Sequence, residues 1–156
     1  MDYFTFYVSP LGDLVLRSDG HCLTGLCPLE FASVADGIQQ DSCPVFLAAK
    51  TWLDDYFLRK PRPIDFPLSP SGTDFQERVW DILQTVGYGE TVTYGAIARR
   101  LSDTMSAQAV GGAVGKNPIA ILIPCHRCIG AKGQLTGYAW GLERKQWLLR
   151  HEEETK

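Results

Sequence analysis

Four consecutive residues, Cys125-His126-Arg127-Cys128, set a thiol, an imidazole, a guanidinium and a second thiol side by side. Three chemistries fit them. The Cys-x-x-Cys spacing is that of a dithiol redox pair, although such pairs are expected early in an α/β chain. As metal ligands the two cysteines need partners. His21, Cys22 and Cys27 are available, without the paired short spacing of zinc knuckles. The third chemistry is an activated nucleophile. A free thiol has a pKa of about 8.5, so little of it is thiolate at neutral pH. A nearby imidazole can take its proton, directly or through a water, while a guanidinium and backbone donors favour the anion. Such an imidazole is normally held by a carboxylate, and Glu152, Glu153 and Glu154 lie beyond the last expected helix.

Several elements must position this group. Residues 119–124, IAILIP, form an apolar run of strand length, so Cys125 is expected where a buried strand ends. Asn117-Pro118 stops the segment before it. Residues 94–101 and 106–115 read as two short helices, the second capped by Ser106. Their four-residue connection resembles a helix-turn-helix, and the small residues Ala107, Ala109, Gly111, Gly112 and Ala113 would let a partner approach the second helix closely. A helical hairpin in a core fits the same text. Upstream, Thr73 and Gln76 form a capping box for a helix whose Phe75, Val79, Ile82, Leu83 and Val86 share a face. Downstream, glycines 130, 133 and 137 mark a loop, and residues 142–151 an amphipathic helix with Trp147 and Leu148 as core.

The first half reads differently. YFTFYV, LVLR and CLTGLC are strand-like and separated by turn residues, an antiparallel meander. Residues 45–58 place Phe46, Ala49, Leu53 and Phe57 on one helical face against it. Four prolines within residues 61–72 indicate an extended linker. The expected division is therefore a sheet domain over 1–60, the linker, and a helical domain over 73–156. No apolar run approaches a membrane span, and the N-terminal text is not that of a secretion signal, so a reducing, cytoplasmic protein is expected. The net charge of −3 opposes a generic nucleic-acid binder, but residues 91–151 carry eight basic and two acidic residues. A local basic face is what phosphate contact needs.

The wider text resembles the O6-alkylguanine-DNA alkyltransferases. The matching stretches are GTDFQERVWDIL (72–83), GYGETVTYGAIA (87–98), AVGGAVGKNP (109–118), IPCHR (123–127), GY (137–138) and KQWLLRHE (145–152), in the family's order. The resemblance implies an α+β fold: a small RNase H-like N-terminal sheet with helices, and a winged-helix-like C-terminal domain carrying the helix-turn-helix. It implies direct repair of O6-alkylguanine, and of O4-alkylthymine as a further substrate. The base is flipped from double-stranded DNA entered through the minor groove, and its alkyl group passes once and irreversibly to Cys125. No cofactor, metal or membrane is implied, and the protein acts as a monomer in the cytoplasm, at the nucleoid if bacterial.

By the same resemblance, His126 takes the Cys125 proton through a water, Glu152 orients His126, Asn117 supports the network and Tyr94 donates to the base. Thr93, Ala107, Gln108, Ala109, Gly111 and Arg127 fall at DNA-contacting positions. Val110, Pro124, Tyr138 and Trp140 fall around the base and alkyl pocket. Three positions depart from the family's usual text. Gln108 replaces an arginine that fills the gap left by the flipped base. Trp140 replaces a glycine, and Cys128 an aliphatic residue.

Overall fold

Aromatic and β-branched residues dominate Tyr3–Ser9, which forms strand β1. Gly12, at φ 102°, supplies the left-handed backbone that turns the chain into β2 (Gly12–Ser18), and β3 (Leu23–Pro28) completes the meander. The computed structural model describes residues 2–34 and 36–153. The chain divides into two units, Met1–Ser71 and Gly72–Lys156. In the first, the sheet gains a fourth strand that the sequence did not announce: β4 (Ile38–Gln39) pairs parallel to β1, giving the order β3-β2-β1-β4. Helix α1 (Pro44–Phe57) packs against it through Phe46, Ala49 and Leu53, as its periodicity indicated, together with Val45, Trp52 and Tyr56. The proline-rich segment is fastened to this unit. Leu23 donates to the Pro67 carbonyl at 2.9 Å and accepts from Ser69 at 2.8 Å, and the Trp52 indole donates to the Arg62 carbonyl.

The second unit contains helices α2 (Asp74–Leu83), α3 (Tyr94–Leu101), α4 (Ala107–Val114) and α5 (Leu142–Glu153). Thr73 and Gln76 close a reciprocal capping box on α2. Thr93 caps α3 by accepting from the Ala96 amide, and Ser106 caps α4 by accepting from Ala109. Trp80, 1% exposed, donates its indole N–H to the Ala113 carbonyl at 2.9 Å and so fixes α2 to α4. A small parallel pair, β5 (Val92–Thr93) with β6 (Cys128–Ile129), aligns Val92 with Cys128. The residues just after the cysteine cluster are thereby held beside the start of α3.

Two expectations need correction. Residues 119–124 are buried as predicted but form no strand. Ile121 sits at φ 72°, which no pleated strand allows, and the Ile123 amide reaches back to the Ile119 carbonyl at 3.0 Å in a tight loop. Helix α5 also runs further than expected, so Glu152 lies inside it rather than beyond it. Glu154 is outside the described residues. Among the described residues no helix is long and apolar enough to cross a membrane.

Candidate active site

The loop at residues 117–124 presents Cys125 through two local constraints. Pro124 (φ −80°, ψ 67°) forms an inverse γ-turn, closed by a Cys125 N–H to Ile123 carbonyl bond of 2.8 Å. The Asn117 amide donates to the same carbonyl at 2.7 Å, while its oxygen accepts from Ile119, so both ends of the loop are tied. A single 3-10 turn, Cys125–Arg127, follows, and the Cys128 amide donates to the Cys125 carbonyl. In such a turn the side chains at i and i+3 eclipse. Cys125 and Cys128 therefore share one side, and His126 and Arg127 take the other.

That other side is built around Glu152, whose side chain is 1% exposed. Its carboxylate accepts from His126 Nε2 at 2.6 Å, from Arg127 Nε at 2.8 Å and Nη2 at 3.1 Å, and from the Gly89 amide at 3.1 Å. Burial pushes the Glu152 carboxyl up, but the hydrogen bonds from His126 and Arg127 and the Arg127 charge outweigh it and hold the group well below the usual carboxylate range. Burial likewise pushes the His126 imidazole down, against the opposing pull of Glu152. A neutral imidazole facing a carboxylate carries its proton on Nε2. Nδ1, buried and without a hydrogen-bond partner among the described residues, is left as the basic nitrogen. The pair is thus a neutral base oriented by an anion.

The thiol side holds a residue that sequence reasoning missed. Lys145 is fully buried, and its ammonium donates to the Thr136 carbonyl at 2.9 Å and to the Tyr94 hydroxyl at 3.4 Å. Its contacts are a carbonyl and a phenol rather than a carboxylate. Burial holds its pKa below the usual lysine value, opposed by the charge that Cys128 or Cys125 would carry as a thiolate. Burial also raises the Cys125 thiol, opposed by the Asn117 and Tyr138 donors and by the Lys145 charge. Cys125 therefore rests as a thiol, with the groups that would stabilise its anion already in place. The missed signal lay in the register of α5: Lys145, Leu148 and Glu152, at i, i+3 and i+7, share its buried face.

The remaining predicted residues fall into three places. Ala107, Gln108 and Ala109 are exposed on α4, while Gly111 is half-buried. A Cβ at Gly111 would lie 3.8 Å from the Tyr94 ring. Thr93 is the cap of α3, and Val110 is fully buried. Trp140 is 6% exposed, its ring 6.1 Å from that of half-buried Tyr138. Arg127 requires a correction. It was assigned to the DNA surface, but it is 8% exposed and its third nitrogen, Nη1, donates to the Val86 carbonyl at 2.7 Å. All of its nitrogens are engaged internally, so it serves the Glu152 network. Among the described residues no three His, Cys, Asp or Glu side chains are grouped to hold a metal ion. A cavity of about 320 Å³ opens against Glu152, walled by Thr91, Leu135 and Leu149, and Cys125 is not part of its lining.

Comparison with known proteins identifies the family. Residues 74–154 match the 6-O-methylguanine DNA methyltransferase DNA-binding domain, and residues 3–70 match the ribonuclease-like domain of the same proteins. The chain belongs to the 6-O-methylguanine DNA methyltransferase family. A methylated-DNA–protein-cysteine methyltransferase of Haemophilus influenzae is 41% identical over 97% of this chain and 86% of its own. One from Mycobacterium bovis is 45% identical over 93% and 88%. A crystal structure of the Mycobacterium tuberculosis O6-methylguanine methyltransferase superposes with a TM-score of 0.91 at 42% identity, covering 100% of this chain and 95% of that one. The same organism's protein in complex with DNA gives 0.90 at 43% identity, covering 98% and 94%.

In this member of the family, Glu152→Gln would leave the Arg127 guanidinium buried without its counter-ion, at a cost of about 3–5 kcal/mol. The folded pKa of Glu152 lies below its unfolded value of about 4.3. Its contribution is therefore present above that value and lost as pH falls towards the folded pKa. In urea unfolding, the gap between wild type and E152Q should be widest at neutral pH and narrow below about pH 4. A pH-independent gap would show that Glu152 is not the ionised partner.

Proposed function

We propose that the protein repairs alkylated DNA directly, moving the alkyl group from the O6 atom of guanine onto Cys125 in a single, irreversible event. The observation that carries this reading is the arrangement around the sulfur: a neutral His126–Glu152 base on one side of the turn and the buried Lys145 ammonium on the other. His126 Nδ1 takes the thiol proton, through a water, as the base arrives. The thiolate attacks the alkyl carbon in line, the carbon–oxygen bond breaks, and guanine leaves as its ring is protonated. Tyr94, whose pKa burial raises, is a neutral phenol suited to donating to the base. The thioether product has no route back to a thiol, so the protein is consumed stoichiometrically.

The target atom is inaccessible in a stacked duplex, so the base must be extruded. In this reading the exposed Ala107–Ala109 face of α4 enters the minor groove, and the protein acts as a monomer. Incubation with an O6-methylguanine duplex should raise the protein's mass by one methyl group, with no gain in Cys125→Ser. Tight binding of the damaged base without a mass change would favour a sensor, and preference for an undamaged sequence would favour a regulator.

Two residues set the limits of the activity. Gln108 is shorter than arginine and uncharged, so it holds the vacated base position poorly. Gln108→Arg is expected to raise the transfer rate on duplex DNA, and an unchanged or lower rate would count against this role. Trp140, buried beside Tyr138, narrows the alkyl pocket. Trp140→Gly should therefore speed the reaction of O6-benzylguanine more than that of O6-methylguanine. Equal benzyl reactivity in both proteins would remove Trp140 from the account.

A further inference from the structure

The second thiol of the cluster has no part in alkyl transfer, yet the fold gives it a specific place. The Cys128 amide closes the 3-10 turn onto the Cys125 carbonyl. A turn closed in this way holds its end Cα atoms under about 7 Å apart, and disulfides bridge Cα separations of about 4.4–6.8 Å. The turn also sorts its side chains. His126 and Arg127 both bond Glu152, whereas Cys125 and Cys128 lie on the other side, where a thiolate at either would be felt by Lys145 and Tyr94. Both cysteines are buried, at 5% and 0% exposure.

We propose that Cys128 is a resolving thiol, which closes a reversible disulfide onto Cys125 when a hydroperoxide oxidises the nucleophile. Cys125 attacks the peroxide O–O bond, giving a sulfenic acid and releasing an alcohol, or water from hydrogen peroxide. The Cys128 sulfur then displaces the sulfenic oxygen as water and forms the S–S bond. Two thiols lose two electrons, and one hydroperoxide gains them. A dithiol reductant reverses the bridge. Without Cys128, the sulfenic acid proceeds to sulfinic acid, which such reductants do not restore. Only the consequence, loss and recovery of repair, rests on the reading of Cys125 as alkyl acceptor.

The test oxidises the full chain with hydrogen peroxide, blocks remaining thiols under denaturing conditions and maps the digest by mass spectrometry. Trypsin cleaves after Arg127, so the bridge appears as two peptides held together. Wild type should show a Cys125–Cys128 disulfide that dithiothreitol returns to two free thiols. In Cys128→Val, which keeps an apolar side chain in the core, the same dose should convert Cys125 to sulfinic acid that dithiothreitol leaves unchanged. Sulfinic acid at Cys125 in wild type at the variant's dose, or pairing of Cys125 with Cys22, Cys27 or Cys43, would overturn the proposal. The wild-type map decides even if the variant folds poorly. The readout is thiol mass, so a protein that never accepted a methyl group would still give an answer.

Discussion

A carboxylate withdrawn from water must find its charge and its hydrogen bonds inside the protein, and Glu152 finds both. It takes two bonds from Arg127, one from His126 and one from the Gly89 amide. These donors come from different parts of the chain. Arg127 and His126 sit on the cysteine turn, Gly89 follows α2, and Glu152 itself projects from α5. Through Nη1, Arg127 also binds the Val86 carbonyl. One buried anion therefore fixes the turn that carries the nucleophile against two helical segments. It also sets the tautomer and orientation of the base. Structure and chemistry cannot be separated at this residue, because the ion pair that stabilises the turn is the pair that polarises the imidazole.

The thiol side follows the opposite logic. Lys145 is a buried cation whose neighbours are a carbonyl, a phenol and two thiols. A buried charge without a counter-ion is costly, and a thiolate at Cys125 would supply one. The two faces of a single short turn thus carry complementary demands: a satisfied anion that holds a base, and a hydrogen-bonded cation with no ion-pair partner among the described residues. On the proposed reading, transfer of the Cys125 proton to His126 serves both.

The sequence was most legible where structure is local. Thr73 and Ser106 declared their helices because a cap and its amide lie within three residues of each other. The meander and the short helix pair were readable for the same reason. What failed was non-local or conformationally silent. Strand β4 is two residues long and exists only through its pairing with β1. An isoleucine gives no notice of a left-handed backbone, so the apolar loop around Ile121 passed for a strand. Arg127 and Lys145 read as surface charges because nothing adjacent to them names a partner. Their partners come from segments distant in the chain. The family resemblance supplied Glu152, while the residues alone left three glutamates in contention.

The raised pKa of the Cys125 thiol has a bearing on the lifetime of the molecule. A reagent that is spent by one reaction gains nothing from being reactive at all times. Thiolates combine with soluble electrophiles far faster than thiols do. A cysteine kept protonated by burial, with the residue 5% exposed, is slower to meet stray electrophiles than an exposed thiolate. On the proposed reading, its reactivity towards an alkyl group rises when a bound base completes the site and the proton can pass to His126. Burial thus acts as a preservative: it trades idle speed for a stock of protein that persists until a lesion is found.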